Sequence, residues 1–247
     1  LACASLGTMA QAYPSKPISL IVSFPPGGDT DALARVFAEK LAARVGQPVV
    51  VENKTGASGT IGNSFVAKAN PDGYTLLFTP NTLATAPLVL KPGTGAVYDP
   101  VNDFTPIFLA GTQSLFLVVN ASTGITNLKD FVAAAKSGKV QAYAVASKHR
   151  LSQLPEVPTL TELGYPDLDF SNWMGVIVSS GVSPELQGKI HKAVRNVALN
   201  PKFRGRMFAT GFEGAEDWNI QQLTQAAKTE FERNAAIVKT FDIKLSQ

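Results

Sequence analysis

The segment from Ile18 to Leu41, ISLIVSFPPGGDTDALARVFAEKL, constrains this chain more than any other. Residues 18–24 form a short apolar run rich in β-branched side chains, the pattern of a buried strand. Pro25, Pro26, Gly27 and Gly28 break it sharply. Asp29, Thr30 and Asp31 then offer side-chain caps to a helix, whose Leu33, Val36, Phe37 and Leu41 recur at helical spacing. Strand, glycine turn and helix start, in that order, aim free backbone N–H groups at an anion. Glycine lets a ligand approach such a turn with no Cβ in the way. The same turn also serves any α/β protein that must pass from strand to helix, so by itself it leaves a binding role and a structural role both open. It is neither a G-x-G-x-x-G fingerprint nor a loop followed by G-K-[ST].

Beyond this segment, Gly46 and Pro48 end the first helix. Residues 49–51 read as a second buried strand, and 52–60 as a second glycine-rich loop leading to a helix over 61–69. After the turn Asn70-Pro-Asp-Gly73, residues 74–78 read as a third strand. Two strand–loop–helix units in series imply parallel pairing and right-handed crossovers. Ligands bind such sheets at the carboxyl ends of the strands, where the two loops and the stretch 79–82 would meet. Residues 83–113, with Pro87, Pro92, Pro100 and Pro106, read as loop-rich. Further strands are expected over 115–119, 140–146 and 173–178. Helices are expected over 127–135, from Ser183-Pro184 to about Leu199, over 201–209, and from a cap at Asp217 onward, the last burying Ile220, Leu223, Ala227, Phe231 and Val238.

Composition removes several classes of function. With 45% hydrophobic and 17% charged residues, the 247-residue chain is globular and long enough for a sizeable core. A net charge of +3 without a basic stripe argues against nucleic acid as partner. No stretch after the N-terminus reaches the ~18 apolar residues of a membrane helix. The two histidines, His149 and His191, lie among basic residues and read as solvated, so no metal site is expected. No G-x-S-x-G is present, and capping explains Asp29 and Asp31 more simply than a catalytic pair does. Enzyme chemistry is therefore poorly supported, and no cofactor is implied. Residues 1–12 are uncharged and end Ala-Gln-Ala, like the tail of a secretory signal peptide cleaved after Ala12. They hold the only cysteine, Cys3. An exported chain without disulfides suits a Gram-negative periplasm.

Several segments together then point to one family. They are Tyr13-Pro-Ser-Lys-Pro-Ile18, Phe24-Pro-Pro-Gly-Gly28 with Asp31, and Val51-Glu-Asn-Lys54 with Gly56 and Gly59. Further on come Asn70-Pro-Asp-Gly-Tyr-Thr-Leu-Leu77, Tyr98-Asp-Pro-Val-Asn-Asp-Phe-Thr-Pro106 and Leu154-Pro-Glu-Val-Pro-Thr-Leu-Thr-Glu-Leu-Gly164. In this order the chain resembles the Bug-type periplasmic substrate-binding proteins of tripartite tricarboxylate transporters. The resemblance implies two α/β lobes of the type II periplasmic-binding-protein kind, joined by crossing segments and closing on a small carboxylate held by backbone amides and waters. The lobes would comprise residues 13–113 with 218–247, and residues 114–217. Carried over by position, the ligand site would be Phe24, Pro25, Gly27, Gly28 and Asp31 in the first loop; Gly56, Ala57, Ser58 and Gly59 in the second; Asn81 and Thr82 at the third strand end; and Trp173. The implied partners are a small carboxylate and the membrane subunits of a transporter.

One departure from the family is large. Lys136-Ser-Gly-Lys139 joins two elements that the family separates by several dozen residues, so the second lobe is shortened and its ligand loop has no counterpart. A shallower cleft, weaker binding than in a full-length relative and self-association are the expected consequences. Two rival functions fit the same cleft: an exported carboxylate sensor or accessory protein signalling to a membrane receptor, and an enzyme acting on a carboxylate or phosphate ester.

Overall fold

In the computed structural model the described residues are 13–90, 98–117, 144–146, 149–150, 155, 157–165, 171–214 and 217–243. The expected parallel core is present. β1 (Ile18–Val22) lies between β2 (Val49–Asn53) and β3 (Thr75–Pro80) and is parallel to both. β6 (Ser171–Ser179) adds antiparallel to β3, and β4 (Phe104–Leu117) adds antiparallel to β6. β5 (Ala144–Ala146) and the two-residue β7 (Glu213–Gly214) pair with β4. The mixed sheet thus runs β2-β1-β3-β6-β4-β5.

Helices cover both faces, and the period-2 alternation of the strands decides which residues meet which helix. Leu20, Val22, Leu76, Phe78, Val176 and Val178 share one core with α1 (Asp29–Val45), α4 (Pro184–Ala198) and α5 (Pro201–Ala209). Within it the Phe37 ring stands 5.6 Å from Phe78 and 5.7 Å from Phe203, joining α1 to β3 and α5. On the other face Ile21, Leu77 and Ile177 pack with Val66 of α2 (Thr60–Ala67) and Leu83 of α3 (Thr82–Val89). Residues 171–214 therefore pack with the first three strands, because β6 enters the same sheet beside β3. The expected boundaries at 114 and 217 place them in a second lobe instead.

The stretch expected to be loop-rich is largely regular. α3 and β4 both form there, because each accommodates its proline. Pro87 has no N–H to give the Leu83 carbonyl one turn earlier. The Tyr98 hydroxyl fills that place, donating to Leu83 O at 3.0 Å. β4 carries Pro106 past β6 through register shifts at 106/108 and 109/111. Burial pushes the Tyr98 phenol up to about 12. Tyr98→Phe should cost ~1–2 kcal/mol by leaving the Leu83 carbonyl unpaired. Urea denaturation measures this, and an unchanged midpoint would show that water replaces the phenol.

The remaining differences are local. α6 (Ile220–Thr240) is capped by Asn219, not Asp217; the Asn219 side chain and Gln222 form a reciprocal capping box. Asp217 instead pairs with Arg195 of α4. Of the expected α6 core positions Leu223 is buried, and Ile220, Ala227, Phe231 and Val238 are half-buried. His191 is not simply solvated: its Nδ1 lies 2.7 Å from the Ile107 carbonyl. Residues 1–12, the helix expected over 127–135 and the join at 136–139 lie outside the described residues.

Candidate functional site

Three helices start at the carboxyl ends of β1, β2 and β3. Their N-caps are Gly28, Gly59 and Asn81, and none receives a side-chain capping bond. Among the described residues the three other helices are all capped by side chains, from Ser183, Asn200 and Asn219. The first-turn N–H groups of a helix need partners and carry its positive dipole end. At this edge of the sheet the chain withholds its own caps. The expected capping by Asp29, Thr30 and Asp31 is therefore not what forms. Gly28 takes the cap position in an extended conformation, and the Asp31 side chain turns back into the loop.

Asp31 organises the first loop. Its carboxylate, 4% exposed, accepts from Gly27 N–H at 2.9 Å, from Arg35 Nε and Nη2 at 2.9 Å each, and from Asn53 Nδ2 at 2.9 Å. The Arg35 hydrogen bonds, supported by those from Gly27 and Asn53, hold its pKa down at about 2 against the cost of burial. Asn53 also donates to Phe24 O at 3.0 Å, tying the end of β2 to the loop. The Gly27 N–H, expected to face a ligand, is thus used internally. Gly28 N–H makes only a 3.5 Å contact with Pro25 O. The first backbone bond of α1 is Ala32 N–H to Gly28 O, so the N–H groups of residues 29–31 come before it. Residues 25–29 are exposed.

The second loop is held in an unusual backbone. Gly56, Ala57, Ser58 and Gly59 have φ of 128°, 45°, 54° and 91°. Two successive non-glycine residues in the left-handed region store strain, a feature of ligand-binding loops. The loops touch: a Cβ on Gly59 would lie 3.2 Å from the Phe24 ring and from Ser23 Cβ. Beneath them lies buried Asn63 of α2. It accepts from Ser23 Oγ at 2.6 Å and Thr79 Oγ1 at 3.3 Å, and donates to the Tyr98 oxygen at 3.2 Å. Asn63 thereby links the ends of β1 and β3 to α2 and, through Tyr98, to α3. Asn81 N–H donates to Trp173 O at 3.1 Å, and the buried Thr82 Oγ1 has no hydrogen-bond partner among the described residues.

The structure therefore gathers Phe24, Pro25, Gly27, Gly28, Gly56, Ala57, Ser58, Gly59, Asn81 and Thr82 at one edge of the sheet. Asp31 belongs to that edge as a buried brace. Trp173 differs: its indole packs on the α2/α3 face and its N–H donates to Glu230 of α6 at 2.6 Å. It lines an apolar crevice with Leu83, Phe104, Ile177 and Phe231, away from the glycine loops. Arg35, Asn63 and Tyr98 were not expected at the site, and Thr79 was expected only as part of the stretch 79–82 at this edge. Only Arg35 carried a readable signal, its place four residues after Asp31 on one helix.

Among the described residues no group of three or more metal-ligating side chains is present, and no helix is long and apolar enough to cross a membrane. The sequence profile of the tripartite tricarboxylate transporter family receptor, TctC, matches residues 33–140 and 133–243. The two matches meet where the family's intervening block is absent. BugT of Bordetella pertussis is 30% identical over 268 aligned positions, covering 81% of each chain. Since 81% of 247 residues is about 200, several dozen aligned positions have no counterpart here. The solved structure of the periplasmic binding protein BugD matches with a TM-score of 0.75 at 27% identity, covering 95% of this chain and 100% of that one. MatC of Rhodopseudomonas palustris, solved with bound malate, matches with a TM-score of 0.75 at 24% identity, covering 92% and 100%. At that identity the MatC likeness speaks for the fold.

Proposed function

This chain belongs to the tripartite tricarboxylate transporter receptor family of periplasmic solute-binding proteins, with a shortened second lobe, and from that premise we propose that it captures a small carboxylate for a tripartite membrane transporter. The observation that carries the reading is the contrast in capping. The three helices that begin at the carboxyl edge of the sheet have no side-chain cap on their first turns, and the other three among the described residues do. A carboxylate supplies the acceptor oxygens and the negative charge that such first turns favour. Malate in MatC is in keeping with a ligand of this class in this fold. The capture reading carries export to the periplasm with it.

Asp29→Pro tests this directly. Asp29 is the first helical residue, where proline fits the helix, and measured against Asp29→Ala, which already lacks the carboxylate, it removes only the N–H. Gly28, at φ −78° and ψ 170°, already has the conformation a residue before proline requires. Calorimetry against malate, adipate and citrate should show affinity lowered by about tenfold for the acid that binds, or ~1.4 kcal/mol, with helix content unchanged. Unaltered affinity would place the ligand elsewhere. Binding of none of these acids by the unaltered protein would remove the carboxylate reading, and turnover of an ester would favour the enzyme alternative.

A further inference from the structure

The Asp31 carboxylate presents a problem for an anion site. It is buried, charged and bonded to the backbone of the very loop that would receive a second carboxylate. Two like charges at such close quarters repel, and partial burial weakens the screening. Removing Asp31 is no simple remedy, because its carboxylate fixes Gly27, which has a φ of 86° and a position with no atom within 4 Å of a would-be Cβ. Among the described residues nothing occupies the space a side chain would take there, so the hydrogen bond to Asp31 sets the course of the chain.

Arg35 answers both requirements. Its guanidinium grips both Asp31 oxygens and extends Nη2 to Asn53 Oδ1 at 3.1 Å. Asn53 in turn donates to Asp31 and to Phe24 O. The planar fork aligns the carboxylate so that one oxygen meets Gly27 N–H, and its charge cancels that of Asp31. We propose that Arg35 is the positioning residue of the first loop, holding Asp31 against Gly27 and neutralising it so that a ligand carboxylate can occupy the α1 N-terminus. The charge-cancelling half of this inference rests on the carboxylate-capture reading; the positioning half does not.

Three variants separate the possibilities: Arg35→Gln, Arg35→Lys and the double variant Asp31→Asn with Arg35→Gln. Each is titrated by calorimetry with malate, adipate and citrate, and amide hydrogen exchange at Gly27 is followed without ligand. Arg35→Gln should weaken binding of the acid that the unaltered protein binds by ~30-fold, and Gly27 exchange should quicken by ~10-fold. Arg35→Lys, which keeps the charge but not the fork, should recover part of the affinity while Gly27 stays fast. The double variant, with no uncompensated charge, should bind within about fivefold of the original protein. Affinity within twofold of the original in Arg35→Gln overturns the proposal, as does a double variant no better than Arg35→Gln. If the unaltered protein binds none of the acids, the capture reading fails, and Arg35 is then judged on Gly27 alone: unchanged exchange in Arg35→Gln overturns its positioning role. Should Arg35→Gln not fold, Arg35→Lys decides the positioning role, and unchanged Gly27 exchange in it overturns the proposal.

Discussion

Replacing Gly62 by valine is expected to destabilise the protein by ~3 kcal/mol or more, the upper end for overpacking at a rigid site. A Cβ at this position would lie 2.7 Å from the Lys54 carbonyl oxygen, 2.9 Å from Ser23 Oγ and 3.0 Å from Ser23 Cα. Two of these atoms are backbone just past the ends of β2 and β1, and neither can swing away. Glycine is therefore required here for close approach of α2 to the sheet, since Gly62 is not among the residues with positive φ. The clash would push α2 outward and carry the strained second loop with it. Chemical denaturation followed by circular dichroism gives the stability change. A midpoint equal to that of the unaltered protein would mean that the helix shifts at no cost, and the tight packing of α2 would carry no weight.

Asn63→Leu should have a comparable effect by a different route. The two side chains are similar in size, so the loss is polar. Ser23 and Thr79 would lose the acceptor for their hydroxyls, and the Tyr98 oxygen would lose its donor. Each buried group left unsatisfied costs ~1–3 kcal/mol, so a total of ~3–4 kcal/mol is expected. Ser23 immediately precedes Phe24, so loosening it also loosens the first loop, and carboxylate affinity should fall along with stability. Thermal unfolding and calorimetry check the two parts. Full stability with weakened binding would make Asn63 a ligand contact in its own right; neither effect would mean that a buried water takes its place.

The first three strands and their parallel pairing were legible because short apolar runs were each bordered by a glycine-containing turn or loop. The two loops were legible for the same reason. What the sequence concealed was how each polar residue spends its hydrogen bonds. Asp31 reads as a cap at its distance from the turn, yet a bidentate arginine one helical turn later draws it into the loop. Asp217 likewise reads as a cap and is taken by Arg195 from another helix, leaving Asn219 to start α6. Trp173 matches the family by position, but its indole finds Glu230, 57 residues away. The region after residue 82 looked irregular because its prolines argue against regular structure, and the compensations that admit them come from elsewhere in the chain. Long-range partners of this kind leave no periodic trace.

The proline in α3 reaches further than its own helix. Because Pro87 cannot donate to the Leu83 carbonyl, the single proton of the Tyr98 hydroxyl is committed to that oxygen. The phenol, protonated throughout the physiological range and pushed further from ionisation by burial, can then only accept at its remaining lone pairs. Asn63 must present its NH₂ to it, which turns the amide oxygen toward β1 and β3. Ser23 and Thr79 are left with one role each, as donors to that oxygen. The direction of all three Asn63 hydrogen bonds under the two loops thus follows from one absent proton. An amide that could flip between two orientations would offer two floors to the site, and here it has one.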